Sequence, residues 1–288
     1  MVARSLRQNA RVWTCPTCQR ATAGLYCPTC GERARDPREL TLRGLLDQAF
    51  EAFTNIDGRL LHSFRCLVAR PGALTVAFLD GRRKPYLGPF SLFLVTNVLF
   101  FAVESLTRGL VFSTPLDSHL HTQPWSDVMQ TVVANRLAAQ QTTLALYAPK
   151  FDGAIALHAR SLVLLMAVAF APLTAIMFRR SRQPFAAHAV FSLHFYAFTL
   201  LLLTAGSLVP AAGMPFGMAR FSSARVDAVL SIALTLGCAT YLYLAVGTVY
   251  GGTRIVRTMR AAALTIAAVA IVLGYRFALL LLTLFTTS

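Results

Sequence analysis

Acidic residues are scarce: 12 Asp and Glu stand against 27 Lys and Arg in 288 residues, giving a net charge of +15. Charged side chains make up only 14% of the chain, where an average soluble domain has about 25%. That shortage excludes an ordinary soluble enzyme, and the high apolar content excludes a disordered chain. Six cysteines in this length exclude a disulfide-rich mini-protein. Catalytic signatures are missing too. There is no paired acidic motif for a magnesium-bound diphosphate, no HExxH and no GxSxG. The first 40 residues contain no apolar h-region, so no cleavable signal peptide is expected and the first span acts as the insertion signal.

What is present is hydrophobic: 56% of residues are apolar and the mean hydropathy is +0.57. A basic balance alone fits either nucleic acid or an anionic membrane surface. The hydropathy decides for the membrane. A spanning helix needs about 20 mostly apolar residues, at ~1.5 Å rise through a ~30 Å core. Charge-free runs extend over 85–103, 161–178, 183–219 and 228–253, and beyond Arg260 only Arg276 interrupts the apolar chain. These runs predict helices at about 88–109, 160–179, 187–209, 227–250 and 261–285. The expected fold is an all-α polytopic membrane protein of about five transmembrane helices, with a small N-terminal zinc ribbon and juxtamembrane amphipathic helices. Its divisions are a ribbon over 1–36, a juxtamembrane segment with a basic box over 37–87, and the spans over 88–288, with an outer loop at about 110–159.

Orientation follows from Lys and Arg in the short loops. Fourteen precede the first span, three lie in Arg179-Arg180-Ser181-Arg182, and three more in 254–260. The opposite loops are poorer, with Arg108, Arg136, Lys150, Arg220 and Arg225. The expectation is a multi-pass protein of the bacterial inner membrane, with the N-terminus cytoplasmic and the C-terminus outside.

Four cysteines form two CxxC knuckles, Cys15-Pro16-Thr17-Cys18 and Cys27-Pro28-Thr29-Cys30-Gly31. Each knuckle points two sulfurs at one centre, and Gly31 supplies permissive backbone after the second. Together Cys15, Cys18, Cys27 and Cys30 complete a tetrahedral sulfur site suited to structural Zn2+. A rubredoxin-type iron site would use the same ligands, and a dithiol redox centre is disfavoured in a reducing cytoplasm. Metal binding should supply most of the folding energy of so small a head. Cys66 and Cys238 read as small buried hydrophobes. Arg4, Arg7, Arg11, Arg20, Arg33, Arg35 and Arg38 surround the ribbon, with Trp13 and Tyr26 as its aromatics. Attraction to anionic lipid or docking of a cytoplasmic protein explains them better than nucleic acid does.

Leu42, Leu45, Leu46, Ala49, Phe50 and Phe53 share one helical face, opposite Asp47 and Glu51. A second short helix is expected from Arg59 to Ala69, ended by Arg70-Pro71-Gly72. Both would lie along the inner leaflet or pack under the bundle. The box Arg82-Arg83-Lys84, followed by Pro85-Tyr86, sits where headgroups meet the first span. It reads as a topology anchor or as a lipid-phosphate site.

The order of these features resembles an uncharacterised bacterial membrane family, the domain of unknown function 3667. The resemblance rests on Tyr26-Cys27-Pro28-Thr29-Cys30-Gly31, Arg70-Pro71-Gly72 and Gly81-Arg82-Arg83-Lys84-Pro85-Tyr86. It continues through His188 to Phe198, with its paired His188 and His194, then Tyr241-Leu242-Tyr243 and Val249-Tyr250-Gly251. Arg82 replaces the lysine that the family box usually carries. The resemblance implies a zinc-ribbon head on a multi-span membrane protein of no assigned activity, and it carries over no catalytic residue.

Ionisable groups at membrane depth are functional candidates by default. Glu104 and Arg276 both fall ~21 Å up from the cytoplasmic side by residue count, which suggests an ion pair or two residues snorkelling separately. Asn97 and His194 fall ~10 Å deep, near Tyr196, Tyr241 and Tyr243, and read as interhelical glue or as a polar pocket. His188 reads as an interface anchor, and Pro172 as a kink in the second span. In the outer loop, Ser126 and Asp127 should cap a helix carrying Val128 to Leu137, while His119 and His121 read as solvated. Three function classes remain: a non-enzymatic adaptor or scaffold whose ribbon docks a cytoplasmic partner, a small-solute transporter or channel using the pocket near Asn97 and His194, and a lipid-modifying enzyme. The adaptor is the expectation. Its partners would be anionic headgroups on the inner leaflet, a cytoplasmic protein and, in a homo-oligomer, a second copy.

Overall fold

The computed structural model describes residues 12–34, 58–107, 112, 114–213 and 223–287. The amphipathic helix expected over 42–53, and Arg4, Arg7, Arg11, Arg35 and Arg38, lie outside the described residues.

The chain begins with a small head. Its strands β1 (Val12–Thr14) and β2 (Ala21–Ala23) pair antiparallel, with Trp13 opposite Thr22. β-Branched and aromatic residues favour this pleat, and Trp13 Nε1 donates to the Gly24 carbonyl at 2.8 Å to close it. An isolated bridge between Tyr26 and Arg33 brackets the second knuckle as the hairpin brackets the first.

Helix α1 (Arg59–Ala69) stops where Pro71 and Gly72 follow. Gly72 has φ +83°, a left-handed conformation that favours glycine, and it turns the chain into α2 (Ala73–Leu79). A second turn at Gly81 leads to the basic box and to α3 (Pro89–Thr107), whose first residue is a proline. Proline suits a helix start because that N–H has no intrahelical partner anyway.

Beyond α3 the expected outer loop is instead helical. It contains α4 (Leu116–His121), α5 (Ser126–Ala139) and α6 (Leu144–Leu162). Helix α5 starts where expected, but no side chain caps it. Helix α6 runs into α7 (Leu164–Met177) through a 45° bend. The second span expected over 160–179 is therefore only the later part of a broken pair. The break falls at Val163 rather than at Pro172. One turn earlier, the Tyr275 hydroxyl donates to the Ala159 carbonyl at 2.7 Å, the acceptor that the Val163 N–H would use in a regular helix.

Three long helices complete the chain: α8 (Phe185–Gly213), α9 (Ser223–Val249) and α10 (Arg254–Thr286). Four helices, α3, α8, α9 and α10, are each long and apolar enough to cross a membrane, and the bent pair makes up to five. The chain is thus a multi-pass membrane protein. Helix α10 is continuous through Arg276. Helix α8 is the most buried span and packs against α3, α7, α9, α2 and α1, while α10 closes the bundle against α9, α7 and α6.

Contacts define two ends. At the head end, Phe78 of α2 packs on Ala186 and Val190 of α8, and Phe178 after α7 stacks on Tyr250 after α9. At the far end, Arg136 Nη2 donates to the Thr287 carbonyl at 2.8 Å, and the Tyr147 and Thr287 hydroxyls share a hydrogen bond of 2.8 Å. The bent pair connects the two ends: Thr283 of α10 meets His158 at 3.0 Å on one side, and Phe178 lies on the other.

Candidate metal centre and its dock

The two knuckles are built alike. Cys15 N–H donates to the Arg20 carbonyl at 2.9 Å, and Cys27 N–H donates to the Glu32 carbonyl at 2.7 Å. Gln19 N–H returns to the Cys15 carbonyl and Gly31 N–H to the Cys27 carbonyl. The residue after each second cysteine is left-handed, Gln19 at φ +62° and Gly31 at φ +70°. This repeated turn aims all four sulfurs inward, so that they lie within 4.8 Å of one another. Cys15 and Cys30 sulfurs are 3.4 Å apart, and Cys18 and Cys27 sulfurs 3.6 Å. A tetrahedron with metal–sulfur bonds of about 2.3 Å has edges of about 3.8 Å, so the four residues fit one metal ion. The Cys30 backbone N–H and, less strongly, that of Thr29 favour the Cys27 thiolate and lower its pKa to about 6. Cys15, Cys18, Cys27 and Cys30 thus stand together as anticipated. Cys66 is buried in the helical core as expected, with the Tyr86 hydroxyl beside it, and Cys238 packs partly buried beside Thr199.

The basic box meets this head. Glu32, only 4% exposed, accepts from three donors: Thr17 Oγ1 at 2.6 Å, Lys84 N–H at 3.0 Å and Arg83 N–H at 3.2 Å. A carboxylate accepting backbone N–H groups makes a strong, geometrically specific bond. A Cβ built on Gly31 would lie 3.2 Å from Lys84 Nζ, so the ammonium rests against the second knuckle. The Arg83 guanidinium stacks on Phe78 at 4.7 Å, and Arg82 pairs with Asp80 at 3.0 Å. The box that reads in sequence as a topology anchor or a lipid-phosphate site is therefore also the dock of the head. Glu32 was missed, although it follows the second knuckle directly and is one of few acidic residues in the chain.

The segment beyond the turn is also seated by polar contacts. Ser63 of α1 accepts from Leu87 N–H at 2.9 Å. Gly72 packs so tightly on α9 that an added Cβ would meet the Ala245 carbonyl at 2.9 Å, and its N–H faces the Tyr241 hydroxyl. Thr75 Oγ1 and His194 Nδ1 share a hydrogen bond of 2.9 Å that joins α2 to α8. His194 and Tyr241 therefore hold the turn and α2 in the bundle. Asn97 is half-buried on α3, and its Oδ1 has no hydrogen-bond partner among the described residues. No hydrogen bond joins it to His194 among those residues. His188, in the first turn of α8, is buried among protein side chains and shares a hydrogen bond of 2.8 Å with the Tyr250 hydroxyl.

At the far end, Glu104 Oε1 accepts from Phe112 N–H at 3.4 Å. Arg276 donates to Thr114 Oγ1 from Nε at 3.2 Å and from Nη2 at 2.8 Å. The two ionisable residues thus converge on the same short connection, 112–114, from spans on either side. His119 is buried rather than solvated, and Trp125 Nε1 donates to its Nδ1 at 3.2 Å.

These features define a class: a multi-pass membrane protein of helices with a four-cysteine, metal-competent head seated on the start of its first span. A family model described as a protein of unknown function (DUF3667) matches residues 57–101. The resemblance to the domain of unknown function 3667 is thereby shown across that stretch, which holds α1, the Gly72 turn, α2, the box and the first turns of α3. No curated protein and no solved structure matches the chain.

Proposed function

We propose that this protein is a membrane-anchored adaptor, without catalytic activity, whose zinc-loaded head binds a cytoplasmic protein. The observation carrying this reading is the two-sidedness of the head. Glu32 is buried in the dock, whereas Val12, Leu25 and Tyr26 are 73%, 61% and 60% exposed. Apolar and aromatic side chains left open on a small folded unit suit a protein partner. The placement is the inner membrane of a bacterium, with the head in the cytoplasm and the end of α10 outside. The arginines of the loops at the head end support that orientation. Zinc is the metal of choice because four thiolates in a closed tetrahedral site serve structure rather than chemistry.

The test is purification of the full chain in mild detergent, with mass spectrometry of the proteins that co-elute. A partner should be present with the wild type. It should fall away both in C15S/C18S, which unfolds the head, and in L25S/Y26S, which leaves the sulfurs and Glu32 intact. A partner retained equally by all three proteins would end the adaptor reading.

A further inference from the structure

We propose that the arginines of two head-end loops, Arg179, Arg180 and Arg182 after α7 and Arg254 and Arg260 at the start of α10, form a binding site for the phosphate of an anionic phospholipid. This site is separate from the box at Arg82 to Lys84 and from the metal centre, and it does not depend on the adaptor reading.

The loops are fixed together by an aromatic shelf. The Phe178 and Tyr250 rings lie parallel, 3.8 Å apart with 3° between their planes. The Tyr250 hydroxyl is held by His188, and the Arg260 guanidinium lies over the Phe178 ring at 5.0 Å. The ends of α7 and α9 and the starts of α8 and α10 therefore meet at one point. Arg257 adds a second clamp, with its guanidinium 3.9 Å over the Tyr243 ring. Rings that fix guanidinium planes leave the N–H forks directed and unspent.

Charge is uncompensated there. Arg179, Arg180, Arg182 and Arg254 are exposed, and the segments 178–185 and 250–260 contain no Asp or Glu. Among the described residues, none of the five arginines has a carboxylate partner. The box differs: Arg82 is paired with Asp80, and the Lys84 ammonium is turned against Gly31 of the head. Arginine forks match phosphate oxygens in pairs, so the free forks of the loops suit a phosphate better than the box does.

Position commits the phosphate to a lipid. Helix α10 has 33 residues, hence a length of about 50 Å against a hydrocarbon core of about 30 Å. The excess lets its first turns, which carry Arg254, Arg257 and Arg260, reach headgroup level. Ile255 and Met259, 75% and 68% exposed, stand among the arginines of those turns and offer apolar contact to acyl chains.

The experiment titrates the purified full chain in detergent with phosphatidylglycerol and reads bound lipid by native mass spectrometry, with phosphatidylcholine as the neutral control. Each arginine near an anionic headgroup contributes about fivefold, so R179Q/R180Q/R254Q should bind phosphatidylglycerol about a hundredfold more weakly. R82Q/K84Q should lose less than about fivefold. R179K/R180K/R254K preserves the loop charges that set topology, and it should fall between wild type and the glutamine variant because its forks are gone. Equal losses per charge removed in the loop and box variants would reduce the site to diffuse net charge and overturn the proposal. Lysine binding as tightly as arginine would overturn it too, as would displacement of the lipid by excess inorganic phosphate, which would assign the loops to a soluble anion.

Discussion

The two ends of the bundle are held by different kinds of contact. At the head end, two joints press on main chain: Glu32 receives the N–H groups of Arg83 and Lys84, and Gly72 lies against the Ala245 carbonyl. At the far end, long side chains reach across the fold, Arg276 to Thr114, Arg136 to the Thr287 carbonyl and Tyr275 to the Ala159 carbonyl. A contact that presses on backbone admits few residue types, so it leaves a short motif such as Arg70-Pro71-Gly72. A long side chain reaching across many residues leaves no local pattern. The end with motifs is also the end that the matching family covers.

The strongest way to separate head from bundle is to remove the zinc proposed for the four cysteines. Structural zinc in small four-ligand domains contributes about 10–16 kcal/mol of apparent binding energy at neutral pH, far more than a hairpin of two three-residue strands can supply. Treating the purified protein with a chelator should open Arg20 and Arg33 to trypsin while the thermal unfolding of the helical bundle stays unchanged. If the head remained resistant after metal removal, the hairpin and the Glu32 dock would be sufficient to fold it.

The next largest effect tests the backbone contact. Gly72→Ala puts a Cβ 2.9 Å from the Ala245 carbonyl and 3.0 Å from Thr248 Cβ, in a left-handed conformation. Left-handed backbone costs about 1–2 kcal/mol in an alanine and overpacking about 1–3 kcal/mol, so a loss of about 3 kcal/mol is expected. Gly251 is the comparison: its φ is +69° but nothing lies within 4 Å of an added Cβ. Gly251→Ala should therefore cost only the conformational part. Equal effects on thermal unfolding would mean that α9 yields to the turn and that the close approach carries no energy.

Much of this molecule was legible in sequence, for physical reasons. Apolar runs marked α3, α8, α9 and α10, because lipid leaves room for few charges in a span, Glu104 in α3 and Arg276 in α10 among them. The CxxC spacing marked the sulfur cluster, because a knuckle closes within a few residues. The bend at Val163 was not legible, because the contact beside it joins Ala159 to Tyr275, 116 residues away. Nor was the dock: Glu32 binds backbone N–H groups more than 50 residues distant, and such groups carry no side-chain identity to read. Helices α4 and α6, unlike α5, do not stand out in sequence because their polar residues sit among the apolar ones without the charge-free length that betrays a span.

The far end can be probed by pH. Burial, helped by the nearby Arg276 charge, lowers the His119 pKa to about 4 from an ordinary value near 6.5. The folded ring is thus neutral where the unfolded ring would take a proton. Its contribution to stability is complete above pH 6.5 and fades as pH falls towards 4, with about 2 kcal/mol lost by pH 5. Thermal unfolding at pH 7 and pH 5 should show the drop in the wild type and not in His119→Asn. A drop of the same size in both would place the titrating group elsewhere.

The smallest expected effect decides how α2 is seated at the head end. Thr75 is 1% exposed and His194 3%, so neither can exchange its hydrogen bond for water. Thr75→Val keeps the shape and removes the hydroxyl. Side-chain hydrogen bonds within membrane bundles average about 0.6 kcal/mol and reach about 1.7, so a loss of about 1 kcal/mol is expected, measured by thermal unfolding in detergent. His194→Phe gives the second arm of a double-mutant cycle. If the bond seats α2, the double variant should lose less than the sum of the single losses, because removing either partner already breaks the interaction. If the losses add, Phe78 against Ala186 and Val190 seats α2 alone, and the head end is held by its backbone and apolar contacts without help from the histidine.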